Sequence, residues 1–203
     1  MKNRVHIQAH EILTIDEREG DSSVVFGFWM YLMTDFVLFA TLFAVYAVLR
    51  GNTFGGPSGA QLFDLPYVLI ETILLLTSSF TCGLALLAAR AGSVRFVITA
   101  LCTTAILGGT FLMMELSEFA HLIVVGNAPQ TSGFLSSYFT LVGTHGFHIT
   151  VGLMWILALV AAIIFKGLTR ANMRKLMLFS LFWHFLDIIW IFIFTIVYLM
   201  GAH

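Results

Sequence analysis

Eight side chains able to hold or pass a proton stand inside long apolar runs of this sequence or at the end of one: Asp35, Glu71, Glu115, Glu118, His145, His148, His184 and Asp187. A carboxylate at mid-bilayer costs about 2.5–3.5 kcal/mol on insertion scales, so each needs a partner or a purpose. Spacing groups them. Glu115, Glu118 and His121 follow one another at intervals of three and share one helix face. His145 and His148 form an i,i+3 pair, as do His184 and Asp187. Hydrogen bonds between carboxyls and imidazoles on such faces would remove the desolvation cost without any catalytic role. Buried polar pairs are therefore the first reading of these residues.

Three sharper chemistries compete with it. Glu118-x-x-His121 suggests a di-iron carboxylate centre, but such a centre needs two of these motifs and two further glutamates in a bundle core. A histidine of the fourth apolar run facing His184 on the fifth would supply two axial haem ligands, as in a small cytochrome b-like quinone oxidoreductase. Asp35, Glu71, Asp187 and the histidines could together line a proton or ion path, the default reading of intramembrane ionisable groups. An autonomous transporter would be expected to show an internal repeat or broken helices, and neither is visible. A proton-related role inside a larger complex stays open. No nucleophile with its base, phosphate-cradling glycine loop or nucleotide fingerprint is present in the sequence.

The elements that must position these residues are membrane helices. Of 203 residues, 59% are hydrophobic and 10% charged, where a soluble domain carries about a quarter charged residues. After a polar tail over 1–23, which lacks the features of a signal peptide, apolar runs occupy about 24–49, 65–89, 94–116, 134–164 and 176–200. Each is long enough to cross a hydrocarbon core that needs about 20 helical residues. The fourth is long enough to imply a tilted helix or one that passes the membrane surface. The predicted fold is thus all-α: one membrane domain of five transmembrane helices over 24–203.

Charge orients it. Lys2, Arg4 and Arg18 in the tail fall on one side, with Arg90 and Arg95 in the second loop and Lys166, Arg170, Arg174 and Lys175 in the fourth. Arg50 is alone on the other side. The positive-inside rule then predicts a cytoplasmic N-terminus, an external C-terminus, and external loops over 51–66 and 126–132. The lack of a basic stripe argues against nucleic acid as a partner. Cys82 and Cys102 lie in apolar runs and are expected as small buried core residues rather than a disulfide. Ala100, Thr104 and Gly108, with Ser78 and Cys82, offer small residues at four-residue spacing, which would let the second and third helices approach closely.

Phe182-Trp183-His184-Phe185-Leu186-Asp187-Ile188-Ile189-Trp190 resembles the last-helix signature of subunit III of the haem–copper terminal oxidases. Gly143-Thr144-His145-Gly146-Phe147-His148, followed by Gly152, is similar to that family's other strong motif. Gly27-Phe28-Trp29, 115–119 and 74–83 also match, so the resemblance covers about 26 to the C-terminus. Within the family the chain looks most like the quinol-oxidase branch, the cytochrome bo-type ubiquinol oxidase. Five-helix forms also occur among bacterial cytochrome c oxidases, which stands as the alternative. Many family members have two further helices that enclose phospholipid, and the chain resembles the form without them.

The resemblance implies a subunit with no haem, copper or catalytic residue of its own in a bacterial-type inner membrane. It implies partners: subunit I, which carries the haems and copper, reduces oxygen and pumps protons, together with subunit II, a small subunit IV and membrane lipids, bound phospholipid among them. It implies a role in stabilising subunit I and supporting its proton uptake. Asp35 matches the position of a buried carboxylate known in the family to react with carbodiimide, often Glu there. His145, His148, His184 and Asp187 match motif positions implied to bond between helices.

Overall fold

The computed structural model describes residues 2–55 and 59–201, with side chains described from residue 23 on except at 60 and 61. The solvated character expected of 1–23 therefore lies almost wholly outside the described side chains. Six α-helices follow in order: α1 (Lys2–Leu49), α2 (Gly59–Leu62), α3 (Leu65–Arg90), α4 (Val94–Val124), α5 (Gly133–Lys166) and α6 (Arg170–Ile193). A π-helical segment, Phe194–Leu199, continues α6. The described residues contain no strand. Five stretches are long and apolar enough to cross a membrane: Ser23–Leu49, Leu65–Arg90, Val94–Val124, Gly133–Lys166 and Arg170–Leu199. The all-helical, five-span expectation is met.

Local chemistry sets the helix ends. Pro66 stands in the first turn of α3, where its missing N–H costs no helical hydrogen bond. Ser132 caps α5 by accepting from Leu135 N at 3.1 Å, and Thr169 caps α6 by accepting from Asn172 N at 3.2 Å. Asn172 then ties the α5–α6 turn. Its side-chain amide donates to the carbonyls of Gly167 at 2.8 Å and Ala162 at 3.2 Å.

The chain divides into residues 1–38 and 39–203. In the first unit, the Phe28 and Tyr31 rings lie 5.7 Å apart, and Thr34 Oγ1 donates to Met30 O at 3.1 Å. In the second, α3 packs on α4, α4 on α5, α5 on α6, and α6 returns to α3, closing a ring of four helices. The end of α1 joins this unit through Phe43 against Phe192 and through the Tyr46 hydroxyl, which donates to Val197 O. Its largest fully buried side chains are nearly all aromatic, with Trp183, Trp190, Tyr138, Tyr198 and Phe111 among them.

The approach of the second and third apolar helices is as the small residues suggested. Ser78 Oγ donates to Thr104 O at 3.1 Å, and the Thr81 and Thr104 hydroxyls meet at 2.8 Å. One expectation is corrected. Cys82 is buried, but Cys102 is exposed. It stands two residues before Thr104, about 200° around the helix, and so faces away from the seam that Thr104 enters.

Candidate functional site

Two tryptophans of α6 hold the ring together. Trp183 lies between α4 and α5. A Cβ on Gly108 would stand 2.7 Å from its ring and one on Gly152 would stand 2.6 Å away, so only glycine fits on either side. Its indole N–H donates to Ser78 Oγ on α3 at 3.1 Å, so one side chain joins all four helices. Two turns on, Trp190 repeats the device with a 3.0 Å bond to Thr72 Oγ1, while its ring meets Phe111 edge-on at 4.6 Å. Polar bonds between helices in lipid are worth about 0.6 kcal/mol on average, up to about 1.7.

Past Trp190, towards the α3 N-terminus, the core turns acidic. Glu71 on α3 and Glu115 on α4 are 0% and 1% exposed. Neither Glu71 oxygen, nor Glu115 Oε2, has a hydrogen-bond partner. Glu115 presses its carboxylate on Gly146, where a Cβ would lie 2.7 Å from Oε1. Glu118, one turn beyond, accepts from the Tyr198 hydroxyl at 3.1 Å, and Tyr138 and Tyr198 meet at 2.9 Å. Because the Tyr198 hydroxyl donates to Glu118, it accepts from the Tyr138 hydroxyl. Glu118 also reaches an open cavity of about 360 Å³ lined with Asp64, Tyr67, Ser117 and His121.

The histidines separate. His145 is fully buried and stacked on Trp190 at 5.3 Å, with Phe111 and Phe39 edge-on at 5.9 and 6.4 Å. Neither of its ring nitrogens has a hydrogen-bond partner. His148 packs on Phe39 at 5.3 Å and places Nδ1 2.7 Å from Thr144 O. His184 is exposed. Its Nδ1 stands 2.7 Å from Ser180 O, and its Nε2 lies over Gly83 of α3. His145 and His184 thus point in different directions, one into the core and one over α3. The paired haem-ligand reading of those two fails on that geometry.

Asp187 is half-buried beside Ser79, though not at hydrogen-bonding geometry, and its Oδ1 has no partner. Asp35, in the first unit, is 7% exposed and shares a helix face with buried Leu32. Among the described residues, no three of His, Cys, Asp and Glu are arranged to hold a metal ion. The spacing of ionisable residues gives no sign of the bonding roles of Trp183, Trp190, Tyr138 and Tyr198. The available signal was their polar tips: a buried indole N–H or phenol usually finds a partner.

The site this fold defines is the packing core of a bundle of membrane-length helices. The profile of the cytochrome c oxidase subunit III family matches residues 13–202, and the chain belongs to that family. Its relatives narrow the likeness. It is 54% identical over 202 residues to the cytochrome bo(3) ubiquinol oxidase subunit 3 of Pseudomonas aeruginosa, covering 98% of this chain and 97% of that one. It is 46% identical over 177 residues to the quinol oxidase subunit 3 of Bacillus subtilis, covering 87% of each chain. The resemblance to subunit III of haem–copper oxidases, and within them to the cytochrome bo type, therefore holds. The chain is a multi-pass bacterial-type membrane protein.

Proposed function

We propose that this chain is the non-catalytic subunit III of a proton-pumping ubiquinol oxidase in a bacterial inner membrane. It packs on subunit I, which carries the haems and copper, beside subunit II and a small subunit IV, with phospholipid bound among them. It stabilises subunit I and supports its proton uptake. The N-terminus is cytoplasmic and the C-terminus periplasmic, because nine of the ten Lys and Arg residues then fall inside. Asp35, Glu71, Glu115, Glu118, His145, His148, His184 and Asp187 serve helix association and the local handling of protons.

One observation carries this reading. The polar tips of the tryptophans in the last-helix motif are bound to neighbouring helices, through Ser78 and Thr72. Such contacts build a scaffold. The quinol branch is favoured over a cytochrome c donor by the names of relatives such as those of Pseudomonas and Bacillus.

The test is a tagged purification in mild detergent, with a visible spectrum and a ubiquinol oxidation assay. Co-purification of a haem-bearing large subunit with quinol-dependent oxygen uptake is expected. A stable lone chain with no haem-bearing partner would sink the proposal. Oxygen uptake driven by reduced cytochrome c but not by quinol would move the chain to the other branch.

A further inference from the structure

The α3–α4 turn gathers positive charge with nothing to answer it. Arg90 is the last residue of α3, and Arg95 stands in the first turn of α4. Both are exposed. Arg90 suits its place, because a helix C-terminus favours a cation; Arg95 does not, because a helix N-terminus is already partly positive. The start of α4 does nothing to offset it. Its first turn holds no acidic residue, and Ser93 makes no side-chain cap bond, unlike Ser132 on α5 and Thr169 on α6. The chain has no Asp or Glu between Glu71 and Glu115, so neither helix brings a carboxylate near this turn.

Beneath the turn lies a cavity of about 400 Å³ lined by Leu84, Leu87, Ala88, Ala91, Ser93 and Phe96. Leu87 and Phe96 are 63% and 53% exposed, so it opens on the outer surface of the bundle. Arg90 and Arg95 are each one residue from a lining residue, Ala91 and Phe96. Depth separates the two chemistries. The second span ends at Arg90 and the third begins at Val94, which sets both arginines at the level of lipid headgroups. Leu84 comes six residues before Arg90, roughly 9 Å deeper along the helix, among acyl chains. The single polar lining residue, Ser93, stands at the headgroup end.

We infer that this cavity binds a phospholipid with a net negative headgroup. Its phosphate is held by Arg90, Arg95 and the positive start of α4, and an acyl chain lies against Leu84, Leu87 and Phe96. Basic pockets between membrane helices hold such headgroups. An acidic protein loop would match the arginines but leave the apolar wall below them uncovered. A zwitterionic lipid would cover the wall but leave the charge. The inference deepens the proposed function by giving its phospholipid a place, and that place is on α3 and α4, both present in the five-helix form.

The test uses the intact complex in phosphatidylcholine vesicles carrying a trace of phosphatidylglycerol, or of phosphatidylcholine, with a diazirine on one acyl chain. Peptide mass spectrometry reads the label at 84–96 against the label at Met154 and Leu157, exposed residues of α5 that report ordinary lipid contact. The expected result is a preference for phosphatidylglycerol at 84–96 of about fivefold for each arginine. Arg90→Gln and Arg95→Gln should each lower it by about fivefold, and Lys at both positions should keep most of it. Ala91→Trp, which fills the cavity and keeps both arginines, should abolish it. Equal labelling by the two probes, or a preference that survives the double Gln variant or Ala91→Trp, overturns the inference. Lipid label missing from 84–96 because another subunit covers it overturns the inference as well. Failure of the proposed function is a separate result: a chain that purifies without a haem-bearing partner sinks that reading, and the full chain alone in the same vesicles still reports the lipid preference.

Discussion

The Trp183 wedge makes a quantitative prediction. A Cβ placed on Gly152 would stand 2.6 Å from Trp183 Cζ3 and 3.0 Å from Cε3, where carbon atoms prefer about 3.5–4.0 Å. The indole would have to retreat by about 1 Å. It has no room, because Gly108 closes the opposite side and the Nε1–Ser78 bond holds the ring in plane. Overpacking of this kind costs about 1–3 kcal/mol. Ala gains back about 0.8–1 kcal/mol of helix propensity over Gly. The net expectation for Gly152→Ala is a loss of up to about 2 kcal/mol. Gly109→Ala is the matched control, since nothing lies within 4 Å of its Cβ, and it should be neutral or stabilising by up to about 1 kcal/mol. Unfolding by sodium dodecyl sulfate from mixed micelles, followed by far-ultraviolet circular dichroism, measures both. Combining Gly152→Ala with Trp183→Phe should recover about 1 kcal/mol relative to the sum of the single changes, because the shorter ring vacates the clash. If Gly152→Ala is no less stable than Gly109→Ala, the wedge is not what holds the ring together.

Other consequences are simpler. Trp190→Phe and Thr72→Val each break the 3.0 Å indole–hydroxyl bond, at about 1–3 kcal/mol where a buried group is left unpaired. The double variant should cost less than the sum, and full additivity in the same titration would show that the bond contributes nothing. Cys102 should react with a lipid-soluble maleimide in native membranes while Cys82 stays silent until denaturation. Equal labelling of both would contradict the facing of α3 and α4. Asp35→Asn should leave oxygen reduction and assembly intact if Asp35 serves packing. Loss of proton pumping in an assembled complex would instead assign it to a proton path.

Much of this was readable from the chain, and what escaped has a common cause. Five long apolar runs specify five helices almost regardless of context, since lipid leaves the backbone no other way to satisfy its hydrogen bonds. The four-residue stripe of Ala100, Thr104 and Gly108 correctly predicted a close α3–α4 seam. The same period puts Cys102, two residues before Thr104, on the far side of α4, where it is exposed. The wedge around Trp183 was not readable, because its two walls, Gly108 and Gly152, come from different helices and meet only once α6 is inserted between them.

The histidines show the limit most clearly. Spacing of three says that His145 and His148 share a face, and that His184 and Asp187 share another, but it fixes no absolute rotation. In sequence His145 and His184 look alike: each sits mid-run, followed three residues later by a second polar group. In the structure one is sealed among Trp190, Phe111 and Phe39, and the other lies open over Gly83. Rotation is decided by the bulkiest neighbours. Trp183 and Trp190 must point inward to reach Ser78 and Thr72, and His184, one residue past Trp183, is carried about 100° around the helix by that demand. The exposure of a polar side chain in lipid therefore follows from aromatic packing.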